Sequence, residues 1–351
     1  MTETKNNPLK NKKGFLESIH LIRGIAALLV LIDHTFGWID LGSISIFIKP
    51  FDGHGQLAVT AFFVISGFIL PYSMYPIYRL RHYPTFIIKR LIRLDPVYLS
   101  ALLFSIVISF VKAQFATRGE PWNLSFGGIL AHMLYMVPFT KYKWMNEVFW
   151  TLGIEFQFYV VLGLAFPLLK LLIDKHKKTW LYLIIITLSV ISIFIGDEGT
   201  KLGFVICSYV PLFMIGLVGF LYYINFCDRI AFITLLLLLF NIYIFSPMGS
   251  LEKSLVALLT ILLIVLWKAP LIKVRFFGTI SYSLYVIHYP ITSLINGNIG
   301  KKLVAESDFW AAIPWIFPLS SLIISLSASF LLYRLVELPS MNLAKRIEYP
   351  D

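Results

Sequence analysis

His20-Leu21-Ile22-Arg23-Gly24-Ile25-Ala26-Ala27-Leu28-Leu29-Val30-Leu31-Ile32-Asp33-His34-Thr35-Phe36-Gly37-Trp38 is apolar over most of its length, yet it carries Arg23, Asp33 and His34. A helix over 20–38 rises by about 30 Å, the thickness of a bilayer's hydrocarbon core. Lysines precede the run as they would in a signal peptide. The ionisable residues inside it, and the lack of a small-x-small cleavage pattern, make it the first permanent membrane helix instead.

The rest of the chain repeats this pattern. Of 351 residues, 58% are hydrophobic and 14% charged, and the mean hydropathy is +0.80. Soluble domains have roughly 45–50% apolar and about 25% charged residues, so a soluble globule is excluded. Apolar blocks fall at 20–38, 57–75, 96–115, 147–172, 179–197, 202–224, 229–246, 252–268, 276–296 and 309–334. Each is close to the length of one span, and no stretch remains for a separate soluble domain. The run at 126–139 is too short to cross and is expected to be re-entrant or interfacial. The expected fold is an all-α integral membrane protein of about ten transmembrane helices. It forms a single domain over 1–351, with cytoplasmic tails at 1–18 and 335–351.

The net charge is +11. In a soluble chain this would raise the question of nucleic acid; in a membrane chain basic residues collect on the cytoplasmic side and meet lipid headgroups. Membrane lipid is therefore an expected partner and nucleic acid is not. If 126–139 does not cross and the N-terminus is inside, 21 Lys and Arg residues fall inside and 9 outside; if it crosses, the split is 16 to 14. The first arrangement obeys the positive-inside rule and places both termini in the cytoplasm. Cys207 and Cys227 flank one apolar block, about 30 Å apart along a helix, so neither an internal disulfide nor a CxxC metal site is expected. No HExxH and no metal cluster occurs, and no metal is predicted.

Ionisable groups at membrane depth are costly and point to function. Arg23 and His34 are 11 residues apart, three turns plus about 20°, and so share a helix face about 16 Å apart. Such a pair could hold an anionic carrier at one end and act on its reactive end at the other; the alternative for His34 is a packing histidine. Asp33 points ~100° away and is not automatically its partner. In Phe86-Ile87-Ile88-Lys89-Arg90-Leu91-Ile92-Arg93, Arg90 and Arg93 are neighbours on one helical face, able to grip phosphates or to face lipid headgroups. Glu155, in Trp150-Thr151-Leu152-Gly153-Ile154-Glu155, and His288, in Tyr285-Val286-Ile287-His288-Tyr289-Pro290, each lie about eight residues from the outer surface. Their common depth with His34 suggests one cavity. Ser66, in Phe62-Phe63-Val64-Ile65-Ser66-Gly67-Phe68, lacks a GxSxG elbow; that segment reads as a close approach of two helices.

Taken together these segments resemble the acyltransferase-3 family of membrane acyltransferases. The resemblance runs in order through the R-x10-H pair Arg23/His34, FFxxSGF at 62–68, F-x-x-K-R-x-x-R-L-x-P-x-Y at 86–98, W-T-L-x-x-E-x-x-F-Y at 150–159, I-S-Y-S-L-Y-x-x-H-Y-P at 280–290 and Tyr333-Arg334-Leu335-Val336-Glu337-Leu338-Pro339. It implies transfer of an acyl group, commonly acetyl, from cytoplasmic acyl-CoA to a hydroxyl of a surface saccharide or its lipid-linked precursor, in a bacterial inner membrane. By the same resemblance His34 is the catalytic histidine and Arg23 its motif partner, with Arg90 and Arg93 near acetyl-CoA. Glu155 and His288 join His34 as candidate catalytic residues. Thr60 stands where many members carry Asp and Asp33 is unusual, and an appended esterase domain, which some members use, is not expected. The alternatives are a transporter, which the absence of paired broken helices disfavours, and a non-catalytic subunit of polysaccharide assembly.

Overall fold

A computed structural model of the chain describes residues 12–38, 53–74, 77–115, 124–195, 205–267 and 275–350. Residues 1–11 of the basic tail, 39–52, and 116–123 of the expected outer loop lie outside the described residues. The described chain is helical, with no strand among the described residues. Its helices are α1 (Lys12–Phe36), α2 (Gly55–Met74), α3 (Tyr83–Phe115), α4 (Phe126–Met133), α5 (Phe149–Asp174), α6 (Lys178–Ile195) and α7 (Val210–Tyr223). They continue with α8 (Arg229–Ile244), α9 (Leu251–Leu266), α10 (Arg275–Thr292), α11 (Lys301–Glu306), α12 (Asp308–Ala312), α13 (Ile316–Leu332) and α14 (Leu338–Arg346).

Each expected span overlaps one of these helices, except that 309–334 is divided between α12 and α13 and 276–296 runs past α10 into a π-helical segment. Among the described residues, seven helices are long and apolar enough to cross a membrane. This is an all-α integral membrane protein. Of the remaining expected spans, α8 and α9 have 16 residues each, and α10 carries Ser281, Ser283, His288 and Thr292 among its apolar residues. The 126–139 run does not form a spanning helix. Ser125 caps the eight-residue α4 by accepting the Gly128 N–H, and Tyr135 then takes a left-handed conformation at φ 56° before a 3-10 turn at Val137–Phe139. Large apolar side chains such as Phe194, Ile230, Leu103 and Leu335 stand exposed, as a protein solvated by lipid requires and one solvated by water does not tolerate in such numbers.

The chain forms two compact units. The first comprises residues 1–26, 59–80 and 161–279; the second comprises 27–58, 81–160 and 280–351. In the first, small residues let backbones touch. A Cβ on Gly67 would collide with the Phe213 carbonyl, and one on Gly216 with the Val64 carbonyl, so α2 and α7 cross where the FFxxSGF pattern placed a close approach. Gly24 and Gly278 do the same for α1 and α10 against Phe277 and His20. Pro167 lies inside α5 and cannot bond the Gly163 carbonyl. The Tyr78 hydroxyl donates to that carbonyl instead, at 2.8 Å.

In the second unit, α3 begins at Tyr83, thirteen residues before the expected span, so Arg90 and Arg93 stand on the helix itself. Residues after 334 are not a loose tail. A π-helical turn at Tyr333–Glu337 leads into α14, which packs against α3, and the Lys89 ammonium donates to the Ile347 carbonyl.

Candidate active site

All elements of the candidate site except Arg23 belong to the second unit. His34 lies near the end of α1, half-buried, with its backbone carbonyl accepting the Trp38 indole N–H at 2.8 Å. Its ring packs against His288, with centroids 5.3 Å apart and planes tilted 33°, and edge-on against Tyr289 at 5.1 Å. The structure thus brings together His34 and His288, one from each of two motifs about 250 residues apart in sequence. Asp33 turns away from this pair. Its carboxylate accepts the His54 N–H at 3.0 Å and sits against Gly55 at the start of α2, where a negative charge suits a helix N-terminus.

His288 is fully buried. A carbonyl can only accept, so the 3.0 Å contact between its Nδ1 and the Leu284 carbonyl assigns the ring proton to Nδ1. Its Nε2 is then a lone-pair acceptor, with no hydrogen-bond partner among the described residues. His132, also buried, makes an instructive contrast. It has the same tautomer, with Nδ1–H donating to Gly128 at 2.7 Å, and its Nε2 accepts the Met145 N–H at 3.0 Å. Both of its nitrogens are used in holding the 126–145 segment together.

Pro290 stands one turn beyond Val286 and supplies no N–H to its carbonyl. Asn146, fully buried, donates to that carbonyl at 3.0 Å through its amide, which also lies 3.5 Å from the Ser105 hydroxyl on α3. The Asn146 carbonyl oxygen accepts the Val148 N–H at 3.2 Å at the entry to α5. One side chain therefore ties α3, α5 and α10 together beside His288 and Tyr289. A second link joins α5 to α10, where the Thr151 and Tyr285 hydroxyls are 2.7 Å apart. After Thr292 the chain continues as a π-helix, Ser293–Gly300. From it Asn296 donates to the Thr35 carbonyl at 2.9 Å and to Ser321 at 3.0 Å, and Ser293 accepts from the Lys112 ammonium at 2.5 Å. Glu147 lies within electrostatic reach of both Tyr289 and His34.

Glu155 is placed elsewhere. One turn beyond Thr151, it lines a narrow pocket with Arg90, Asp95, Tyr135, Tyr159 and Tyr282. The Tyr159 hydroxyl donates to Glu155, and the Arg90 guanidinium stacks on the Phe86 and Tyr159 rings at 5.3 and 5.5 Å. Tyr135 donates to Asp95 at 2.8 Å and Tyr282 to the Leu94 carbonyl at 3.1 Å. Its free space is no more than about one water molecule needs. The depth count that grouped Glu155 with the histidines captured rise along α5 but not the bearing of its side chain. Arg93 is half-buried one turn along from Arg90. Arg23, half-buried on α1, belongs to the first unit and is engaged there.

Sequence reasoning did not single out Asn146, Tyr285, Tyr289 or Glu147 as site residues. For Asn146 a signal existed, since Pro290 in a membrane helix leaves one carbonyl in need of a donor. No group of three or more metal-ligating side chains occurs among the described residues. No curated protein and no solved structure matches the chain. The family described as "Acyltransferase domain" matches residues 16–334, which include both histidines, Arg90, Arg93 and Glu155. With nearly its whole length inside that match, the chain belongs to the acyltransferase-3 family and is a membrane acyltransferase.

Proposed function

We propose that this protein moves an acetyl group from cytoplasmic acetyl-CoA to a hydroxyl of a cell-surface saccharide or its lipid-linked precursor, in a bacterial inner membrane. The observation that carries the reading is the half-buried His34 held against His288 and Tyr289. An imidazole that is anchored on one side and accessible on the other can take a proton from an acceptor hydroxyl, or take the acyl group itself and pass it on.

On this reading Arg90 and Arg93 hold the donor. A guanidinium makes its phosphate bonds through its edge, in a fixed fork of donors. Around Arg90, the carboxylates and tyrosine hydroxyls offer partners to amide and hydroxyl groups. The whole chain works as one transmembrane domain with both ends in the cytoplasm. The test is transfer or hydrolysis of radiolabelled acetyl-CoA by the purified protein in lipid nanodiscs, alongside analysis of surface glycans with and without the gene. A protein that neither hydrolyses nor transfers, yet moves a saccharide across proteoliposomes, would be a transporter. Sidedness is tested by a cysteine at Lys177, expected to resist an impermeant thiol reagent in intact cells, and one at Asn298, expected to react.

A further inference from the structure

The last four carbonyls of a helix have no intrahelical donor, and two of those at the end of α1 are taken by side chains. The Trp38 indole N–H donates to His34 at 2.8 Å, which folds the indole back onto the backbone of the candidate catalytic residue. The Asn296 amide donates to Thr35 at 2.9 Å. Asn296 belongs to the π-helix Ser293–Gly300, a departure from α-helical geometry that is frequent at functional sites. Its neighbour Gly297 leaves the space the indole needs, since a Cβ there would come within 2.8 Å of the ring. Trp38 is nonetheless only half-buried.

Three further side chains meet this end of α1. Tyr289, also half-buried, sets its ring edge-on to His34 at 5.1 Å. Glu147 is exposed; it adjoins Asn146, whose amide bonds the Val286 carbonyl of α10, and it lies within electrostatic reach of His34, Tyr289 and Lys112. The Lys112 ammonium is held on Ser293, the first residue of the π-helix. Carboxylate and ammonium offset each other, so the surroundings of His34 suit an uncharged ligand. The face of an aromatic ring is negative and attracts the weakly positive C–H bonds of a saturated ring. A carboxylate accepts hydroxyl protons at both oxygens, in bonds roughly twice as strong as neutral ones. A pyranose, apolar on one face and hydroxylated around its rim, matches both.

We propose that Trp38, Tyr289 and Glu147 form a saccharide subsite at the end of α1, in which the indole carries the C–H face of a pyranose and Glu147 takes hydroxyls at its rim, leaving another hydroxyl to face His34. That the bound sugar is an acyl acceptor rests on the acyl-transfer reading above; that a sugar binds does not. The bland role for Trp38 is a helix cap in the interfacial aromatic belt of a membrane protein. The two roles use different parts of the indole, the N–H for the cap and the ring for the platform.

The test titrates the purified full chain in lipid nanodiscs with the methyl glycosides of glucose, galactose and mannose, and follows saturation transfer by NMR from protein aromatic protons to the sugar. At least one glycoside is expected to receive saturation, strongest at the C–H protons of one face. Trp38→Phe keeps a ring and loses the N–H, and its affinity should stay within about threefold of wild type; Trp38→Leu, with no ring, should bind about tenfold more weakly or worse. Glu147→Gln keeps the shape and loses the charge, and should weaken binding about tenfold. Saturation of none of the three sugars by the wild type would overturn the subsite without any variant having to fold. Equal affinities in Trp38→Phe and Trp38→Leu, or an unchanged affinity in Glu147→Gln, would overturn it too. A glycoside bound through Trp38 and Glu147 by a protein that transfers nothing from acetyl-CoA would leave the subsite standing and remove the acyl-transfer reading. Transfer from acetyl-CoA that is indifferent to both positions would do the reverse.

Discussion

In the first unit α2 and α7 touch backbone to backbone at Gly67 and Gly216. In the second, α3, α5 and α10 are joined through side-chain hydrogen bonds centred on Asn146, Thr151 and Tyr285. Close backbone contact gains dispersion energy over a broad area and is indifferent to small slides. Hydrogen bonds in hydrocarbon are directional, and the lipid offers no substitute partner. The first kind of contact builds scaffold, whereas the second sets the distance between particular rings. The candidate chemistry, with His34, His288, Arg90 and Glu155, sits in the unit built the second way.

The sharpest way to break this comparison is at its centre. His34→Ala should leave the protein inserted and folded while transfer falls by about 10²–10⁴-fold; retention of more than about a tenth of wild-type activity would remove His34 from the chemistry. Next is Gly67→Leu, which drives a side chain into the Phe213 backbone where no flexible group can yield. Overpacking of this kind costs about 1–3 kcal/mol. A clear drop in the thermal unfolding midpoint is expected, with little change in activity per folded molecule. A stable protein that has lost activity would mean that the first unit also sets catalytic distances.

The reciprocal change is Asn146→Ala, which strips the donor from the Val286 carbonyl and costs about 1–3 kcal/mol for the buried group left unpaired. Here activity should fall further than stability predicts, because the register of His288 loosens; parallel losses would reduce Asn146 to scaffold. The smallest effect is expected from Arg93→Lys. It keeps the charge but loses the two-point grip on phosphate, and KM for acetyl-CoA should rise on the order of tenfold, about 1.4 kcal/mol. An unchanged KM would favour a lipid headgroup as the partner of Arg93.

The spans were legible because each apolar block near 20 residues has one stable form in lipid. Their ends were less so. The start of α3 at Tyr83 was hidden by the charges of 89–93, which read as flank although they ride on the helix. The proximity of His34 and His288 was partly legible, since both are ionisable groups that are costly to bury and lie at a shared depth. The same reasoning misplaced Glu155, because depth along a helix does not specify rotation about it. Thr151 turns toward Tyr285, while Glu155, one turn on, lines the Arg90 pocket. Asp33 was set aside as the partner of His34 from its bearing on the helix, and its bond to the His54 N–H gives it other work. Asn146 lies in a loop, where an uncharged amide gives no hydropathy signal at all.

The carbonyl of Val286 has a further consequence for how the protein should be handled. A proline in a helix is ordinarily a hinge, because water can satisfy the released carbonyl as the helix flexes. Around Pro290 the vacated rung is filled by Asn146 from outside the helix, and a dry bilayer offers no competitor for the bond. The helix at His288 is therefore as stiff as its surroundings are dry. Detergents that admit water give the carbonyl a second partner, and the helix can hinge there. Turnover should consequently be lower in detergent micelles than in nanodiscs of the same protein, and the loss should disappear in a variant whose helix carries its own rung, Pro290→Ala.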